Sequence, residues 1–187
     1  MLALLCLCCT AWAQFGTISA LHVEGNQLKD THGNTVVLHG FMDTPSPYFN
    51  SWRWGNACND NTVQPCITYF DRIFKAATDT AQGAYCNLFR LHLDCCWTND
   101  GSITAKGFTR KDNKTYDPTG QEVGGKADIS HFSSARLKKY LSSLYLPIAQ
   151  KAMKRGMYVI MRPPGVCPSN LKVGDYYQQY LMEVWDI

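Results

Sequence analysis

The chain has 187 residues, of which 45% are hydrophobic and 18% are charged, and its formal net charge is +3. This composition excludes a disordered chain, because there is enough apolar material for a core. It also excludes the dense basic stripe of a nucleic-acid-binding protein. The one mild basic cluster follows a helical pattern, and we interpret it as a solvated surface: Arg136, Lys138 and Lys139.

Residues 1–13, MLALLCLCCTAWA, form an apolar run that ends in the small-x-small pattern Ala11-Trp12-Ala13. A membrane span takes about 20 residues, so this run is too short to be one. The small-x-small pattern predicts instead a secretory signal peptide, incomplete at its start, that is cleaved before Gln14. The alternative is a buried first strand or helix. Export predicts a secreted, extracytoplasmic protein with no membrane anchor after cleavage.

Six cysteines remain after such a cleavage, and in an oxidising compartment some of them can form disulfides. They are Cys58, Cys66, Cys86, Cys95, Cys96 and Cys167. These six cysteines include no C-x-x-C pair, and no histidine spacing typical of a zinc site accompanies them, so the sequence predicts no metal site.

The first predicted elements surround a turn. The stretch LHVEGNQLKDTHGNTVVLHG contains two alternating segments around residues 30–33, which predicts a β-hairpin whose second arm, Thr35 to Leu38, leads into His39 and Gly40. An irregular segment rich in aromatic residues, proline and asparagine follows. Apolar residues at helical spacing then predict a helix: Ile67, Phe70, Ile73, Phe74 and Ala77.

Two further strand–helix units follow along the chain. Residues 85–93 predict a strand, and residues 97–131 form a long polar segment without a predicted regular element. A second helix is predicted over residues 134–154, kinked or divided by Pro147 and ended at Gly156. The apolar run 157–161 predicts a strand, and a third helix begins near Tyr176.

Apolar strands that alternate with amphipathic helices predict an α/β fold with a parallel sheet covered by helices. The residues alone leave two architectures open, a doubly wound open sheet and a (β/α)8 TIM barrel. A nucleotide-binding open sheet carries a glycine-rich turn after its first strand. This chain has Phe41, Met42, Pro45 and Pro47 there instead. In both architectures the loops after the strands form the functional face.

The hairpin leading into VVLHGFM, the strand NLFRLHL and the helix–strand segment IAQKAMKRGMYVIM resemble the opening of glycoside hydrolase family 5. The likeness is greatest to secreted bacterial endo-β-1,4-glucanases of the cellulase type, and it spans about residues 20–187. The resemblance implies that residues 14–187 are the N-terminal portion of a TIM barrel, about three strand–helix units preceded by a β-hairpin.

The resemblance also implies a role for Arg90. In that family an arginine near the end of the second barrel strand hydrogen-bonds the nucleophile carboxylate, and Arg90 occupies that position as a supporting active-site residue. The alternative is a structural ion pair, for example with Asp94. One departure concerns the third strand, which in the family often ends in Asp-x-His and here ends in Arg162-Pro163-Pro164.

A larger departure concerns the catalytic pair. Retaining glycosidases use two carboxylic acids about 5–5.5 Å apart, and the family places these glutamates after its fourth and seventh strands. The chain has only Glu24, Glu122 and Glu183, none directly after a predicted strand. We therefore expect a chain truncated before the fourth strand, with both catalytic glutamates beyond Ile187 and no hydrolysis by the fragment itself.

Aromatic residues in the loops after the strands predict a sugar-binding surface, because flat sugar faces stack on such rings. The candidates are Trp52 and Trp54 in the first loop, with Tyr48 and Phe49 near them, and Trp97 in the second. The alternative is that some of these rings fill space beneath a loop. His39, at the end of the predicted first strand, is a further candidate, with a buried core histidine as its alternative.

The cysteines test the sheet order. If consecutive strands are neighbours, Cys96 and Cys167 both follow a strand at one edge, where a disulfide is geometrically accessible, with Cys95 as a competing partner. Cys58 and Cys66 would then form a local disulfide, and Cys86 would stay free and buried.

The resemblance thus implies a glycosidase acting on β-glucan of plant cell walls, with no cofactor and monomeric in its full-length form. Cellulose, xyloglucan, mannan and mixed-linkage glucan are not distinguished. A non-catalytic secreted carbohydrate-binding protein that uses the aromatic loops is the first alternative. An unrelated secreted α/β domain for protein contacts is the second.

Overall fold

The computed structural model describes residues 18–123, 129–165 and 172–187. Eight strands are present in this part of the chain: β1 His22–Glu24, β2 Gln27–Lys29, β3 Gly40–Asp43, β4 Leu88–His92, β5 Thr109–Lys111, β6 Lys114–Tyr116, β7 Glu122–Val123 and β8 Tyr158–Arg162. Five α-helices accompany them: α1 Asp60–Ala77, α2 Cys95–Thr98, α3 Ser134–Tyr140, α4 Leu146–Met153 and α5 Tyr176–Trp185. The predicted signal peptide and Cys167 lie outside the described residues.

The central sheet is parallel and has the strand order β3-β4-β8, so that strands consecutive in the predicted pattern are hydrogen-bonded neighbours. Gly40 begins β3 opposite Leu88. A Cβ atom at position 40 would lie 1.7 Å from the Leu88 carbonyl oxygen, so the close approach of the two backbones requires glycine there.

Both helical connections cover the same face of this sheet. On α1, Phe70 and Phe74 pack on Phe89 of β4 with ring centroids 5.8 and 4.8 Å apart, and Phe74 also contacts Phe41 of β3. Helix α4 packs against α1 and β8. Each fully buried phenylalanine contributes about 1.5–3 kcal/mol by leaving water. The opposite face of the sheet carries no helix among the described residues.

Helix α1 confirms the predicted helical spacing and begins earlier than the apolar pattern does. Asn59 is its N-cap and forms a reciprocal capping box with Thr62, which satisfies two of the free N–H groups at the helix start. The buried side of the helix contains Cys66, Ile67 and the two phenylalanines that contact the sheet.

The second predicted helix is divided near Pro147, as expected. Between α3 and α4 lies a single wide turn, residues 141–145, in which the N–H of Leu146 donates to the carbonyl of Leu141, five residues earlier. A proline ring collides with the carbonyl four residues before it, and the wider turn relieves that contact. Gly156 follows α4 with a φ of 77°, which matches the predicted end of the helix.

The leading hairpin differs from the prediction. The regular antiparallel pair is β1–β2, whose turn contains Gly25 with a φ of 61°. The predicted turn does form, because the Asp30 carboxylate accepts from the backbone N–H groups of His32 and Asn34. Its second arm, however, is reduced to one bridge between Lys29 and Thr35.

The long polar segment contains a sheet that was not predicted. Strands β5, β6 and β7 form an antiparallel sheet, and the β5–β6 turn consists of Asp112 and Asn113, both with positive φ. Such a two-residue turn favours a tight hairpin. The pair Asp-Asn between two short polar segments, each with one threonine, was therefore the available sequence signal.

The cysteine predictions were wrong in their pairings. Cys58 is bonded to Cys96, with a Cα–Cα distance of 5.7 Å. Cys66 is not bonded to Cys58, because it lies on the buried side of α1 and is fully enclosed. The pairing of Cys96 with Cys167 is likewise excluded by the Cys58 bond. Cys86 is free, as predicted, but half-buried rather than buried.

Candidate functional site at the carboxyl edge of the sheet

Strands β3, β4 and β8 run in the same direction, so their last residues lie along one edge, here called the carboxyl edge. These residues are Asp43, His92 and Arg162. In parallel sheets the loops that leave this edge carry binding and catalytic groups. The three loops are long, and they contain most of the residues that the sequence analysis proposed.

Arg90 lies on the sheet face that carries no helix, here called the open face. Its neighbours in register are Met42 on β3 and Ile160 on β8, which are 60% and 48% exposed. The guanidinium is exposed, and its Nη1 donates to the sulfur of Met42 at 3.6 Å. An arginine in the middle of a strand is accommodated here because its charge stays in contact with water.

The alternative ion pair between Arg90 and Asp94 is not formed. Asp94 is 1% exposed and is the N-cap of α2, where its carboxylate accepts from the backbone N–H of Cys96 at 2.8 Å. The hydroxyl of Thr44 donates to the same carboxylate at 3.3 Å. Asp94 therefore holds the loops after β3 and β4 together.

His92 and Arg162 meet at the ends of their strands. Arg162 Nη1 lies 2.7 Å from His92 Nε2, and Arg162 Nη2 donates to the carbonyl of Gly165 at 3.0 Å. A guanidinium has no acceptor, so Nε2 accepts and the ring proton is on Nδ1, which bonds the Pro163 backbone. Burial, with smaller effects from Arg162 and Arg90, lowers the pKa of His92 to about 4. The imidazole is therefore neutral near pH 7.

The first loop presents an aromatic cluster, defined as Tyr48, Phe49 and Trp52. These side chains are 55%, 61% and 49% exposed. Tyr48 makes edge-to-face contacts with both other rings, at centroid distances of 5.3 Å to Phe49 and 5.9 Å to Trp52. Three adjacent exposed rings form an apolar surface patch. Monomeric proteins rarely expose large apolar patches unless the patch is a binding site.

The buried side chain of Asn50 stabilises the loop that carries the aromatic cluster. The Asn50 amide donates to the carbonyls of Thr44 and Ser46, at 2.8 and 3.1 Å, and its oxygen accepts from the Tyr69 hydroxyl at 2.5 Å. Trp52 has a φ of 60°, a conformation that is uncommon for a bulky residue. Its backbone N–H donates to the Pro47 carbonyl at 2.8 Å, which stabilises this turn.

Trp54 and Trp97 are not part of this surface. Trp54 is 5% exposed and packs on Tyr69 at 5.0 Å between ring centroids. Trp97 is fully buried, packs on Tyr140 and donates from Nε1 to the Pro45 carbonyl. Both rings support the first loop, so in this structure neither is accessible to a sugar. Only Trp52 of the three proposed tryptophans is exposed.

His39 lies at the opposite edge of the sheet. It precedes β3 rather than ending the first strand, and it is exposed. Its backbone N–H donates to the Asn87 side chain, and its carbonyl accepts from the backbone of Asn87 and Leu88. The structure therefore separates His39 from the aromatic cluster and from Arg90. Its side chain is exposed, so it is not a core histidine either.

The glutamates are placed away from the carboxyl edge. Glu24 is in β1, Glu122 in β7 forms an ion pair with Lys114, and Glu183 in α5 accepts from the Ser134 hydroxyl. At the edge itself Asp43 is half-buried, and burial raises its pKa. Among the described residues no group of three His, Cys, Asp or Glu side chains is arranged as a metal site.

Sequence reasoning did not assign a function to His92 or Arg162. Arg162 was noted only as a departure from the expected strand ending. The available signal was a second arginine, Arg162, at the end of the next predicted strand. Residues in register on neighbouring parallel strands share a face of the sheet, so Arg162 and its partner His92 lie on the same face as Arg90.

Comparison with known proteins identified no protein similar to this chain. No family model matches the chain, and no curated protein or solved structure shows a significant match. Within the described residues, none of the helices has the length and apolar character that crossing a membrane requires.

Proposed function

We propose that the chain is the N-terminal part of a secreted glycosidase of the cellulase type, similar to glycoside hydrolase family 5, which binds β-glucan along the carboxyl edge of its sheet. In this proposal residues 18–187 supply substrate-binding surface and the supporting Arg90. The acid/base and nucleophile carboxylates come from strands beyond Ile187. The observation that carries the proposal is the exposed aromatic cluster directly after β3, the strand whose Met42 is in register with Arg90.

The strand order supports the barrel part of the proposal. Consecutive strands are neighbours, and both helical connections lie on one face. In a doubly wound sheet the strand order reverses and helices cover both faces, whereas in a barrel the helices lie only outside. In this proposal the open face is the barrel interior, and Arg90 on that face meets a catalytic carboxylate from a later strand.

The aromatic cluster supports the carbohydrate part. Tyr48 lies nearly at right angles to both Phe49 and Trp52, so the cluster offers exposed ring faces on which a pyranose can stack, and Asn50 holds their loop in place. The same feature also supports the alternative, a non-catalytic carbohydrate-binding protein, because the described residues include no catalytic pair of carboxylates at this edge.

Affinity electrophoresis of the 187-residue chain tests the binding. We expect soluble β-1,4-glucan in the gel to retard the protein, and Trp52→Ala to abolish most of the retardation. Trp185→Ala is the matched control, because Trp185 is 58% exposed on α5, away from the cluster. Dextran, an α-glucan, is the control polysaccharide.

Equal mobility with and without β-glucan would contradict the proposal. Equal loss of retardation in the Trp52 and Trp185 variants would also contradict it. Release of reducing sugar by a longer chain that contains these residues, measured on the same glucans, separates the glycosidase from the non-catalytic alternative.

A further inference from the structure

Two adjacent residues of the first loop have a backbone conformation that their side chains do not favour. Ser51 and Trp52 have positive φ, of 54° and 60°, and the N–H of Arg53 donates to the carbonyl of Asn50 at 3.2 Å. These four residues form a tight turn, here called the Trp52 turn, with two left-handed residues in its middle. Glycine, asparagine and aspartate dominate such turns, because larger side chains crowd the backbone in this conformation.

The chain contains a second turn with the same backbone signs and more suitable residues. Asp112 and Asn113, between β5 and β6, have φ values of 50° and 61°. Their short polar side chains can hydrogen-bond to the nearby backbone, which lowers the cost of the left-handed conformation. The indole of Trp52 cannot do this. The Trp52 turn is therefore the more strained of the two, and it carries a ring that the proposed function assigns to sugar binding.

Two buried polar groups beside the Trp52 turn lack a hydrogen-bond partner among the described residues. They are Nε1 of Trp54, a residue that is 5% exposed, and Oγ of Ser46, which is 1% exposed. Each group has lost contact with water without gaining a bond, which destabilises this arrangement of the loop. Trp54 follows the turn directly, and the Ser46 carbonyl accepts from Asn50 inside it.

The strained part of the loop lies between two fixed points. Residues 51–53 are exposed, whereas Asn50 and Trp54 on either side of them are buried. Asn50 is fixed by its side-chain hydrogen bonds, and Trp54 packs on Tyr69 at 5.0 Å between ring centroids. A change of conformation in residues 51–53 therefore needs no rearrangement of the core.

We propose that the Trp52 turn changes conformation when β-glucan binds, so that Ser51 and Trp52 leave the left-handed region and the Trp52 ring turns onto the sugar. This inference rests on the proposed carbohydrate function and adds a conformational step at the same site. Strained backbone persists where the surrounding structure compensates for it, and it is concentrated at ligand clamps and switch regions. Relief of the strain, with acceptors gained by Trp54 and Ser46, favours the bound conformation over the unbound one.

The variant Ser51→Gly tests the relief of strain, by affinity electrophoresis in soluble β-1,4-glucan and by thermal unfolding of the same 187-residue chain. Glycine adopts positive φ without strain, so the unbound chain should unfold at a higher temperature. Its affinity for glucan should fall roughly fivefold, because binding then relieves less strain. Asp112→Gly is the matched control at a positive-φ residue of the other turn, and its affinity should equal that of the parent. Equal affinity of Ser51→Gly and the parent would overturn the proposal, since the bound chain would then keep the turn.

The indole N–H signals in proton–nitrogen NMR spectra report the change directly. The Trp54 signal, identified by its loss in Trp54→Phe, should move downfield when cellohexaose saturates the chain, because this N–H gains an acceptor. The Trp185 signal, from the exposed tryptophan of α5, is the control and should stay in place. A response of the Trp52 signal alone, with retardation that depends on Trp52, would overturn this inference and leave the proposed function standing. Absence of any retardation by β-glucan would overturn both.

Discussion

Cys58 and Cys96 are joined by a disulfide that connects the end of the first loop to the first turn of α2, across 38 residues of chain. The same junction is bridged by Arg136 of α3, whose Nη2 donates to the carbonyls of Cys58 and Cys96. Arg136 was expected on a solvated surface together with Lys138 and Lys139. That expectation was wrong for Arg136, which is half-buried between the two loops.

We expect the double variant Cys58→Ser/Cys96→Ser to be less stable. A cross-link that closes a loop of this length lowers the entropy of the unfolded chain, which corresponds to about 3–4 kcal/mol. The free energy of unfolding from urea titration measures the loss. Cys86→Ser, at a free and half-buried cysteine, is the control and should change stability little. Equal stability of the double variant and the parent under oxidising conditions would refute the bond.

We expect Asn50→Ala to loosen the aromatic cluster. The substitution leaves the carbonyls of Thr44 and Ser46 and the Tyr69 hydroxyl without their partner in a buried place, at a cost of about 1–3 kcal/mol. The observable is a lower unfolding free energy together with weaker β-glucan retardation. Tyr69→Phe removes only one of these hydrogen bonds and should have a smaller effect on both. Unchanged retardation in Asn50→Ala would show that the cluster does not depend on this support.

His92 gives the stability a defined pH dependence. Its pKa is about 4 in the folded chain against an ordinary value of 6.5, so between these values the unfolded chain binds more protons. The free energy of unfolding should therefore rise with pH through this window and fall on acidification. In His92→Gln the rise of the unfolding free energy across this window should be smaller by on the order of 1–2 kcal/mol. This is less than the full pKa shift of His92 corresponds to, because the ring keeps some solvent access.

Urea unfolding of both proteins at about pH 4, 5, 6 and 7 measures this difference. Asp43, whose pKa is raised, contributes with the opposite sign, since its stabilisation is lost as the pH rises above its ordinary value. Asp43 is present in both proteins, so subtraction isolates His92. Parallel profiles for the parent and the variant would contradict the assignment of a neutral imidazole with Nε2 as acceptor.

The sequence was sufficient for the elements with a strong local signal. The apolar spacing of Phe70 and Phe74 predicted α1, and Gly156 predicted the end of α4, because these signals act within one turn of the chain. The exposure of aromatic residues was not predictable, because Trp52 and Trp54 are two residues apart in the same loop and differ only in tertiary packing. Pairings such as Cys58 with Cys96 likewise depend on how distant loops meet.

The 187-residue chain should not hydrolyse carboxymethylcellulose or another β-glucan. A retaining mechanism needs two carboxylic acids about 5–5.5 Å apart at the site. The three glutamates lie in β1, β7 and α5, and Asp94 is occupied as a helix cap. Assay of reducing ends, with Arg90→Ala purified in parallel as a contamination control, measures the activity. Turnover by the parent that is lost in Arg90→Ala would contradict the prediction.

The parallel sheet should make the isolated chain associate with itself. Strands β3 and β8 each have one edge without a strand partner among the described residues, and the open face exposes Met42 and Ile160. Unpaired strand edges and exposed apolar sheet faces favour association. Sedimentation velocity over a range of concentrations should show growing oligomers, and Ile160→Thr should reduce them. Val173→Thr, at a 95% exposed valine outside the sheet, should not. A concentration-independent monomer with a sharp thermal transition would mean that the sheet is stable without further strands.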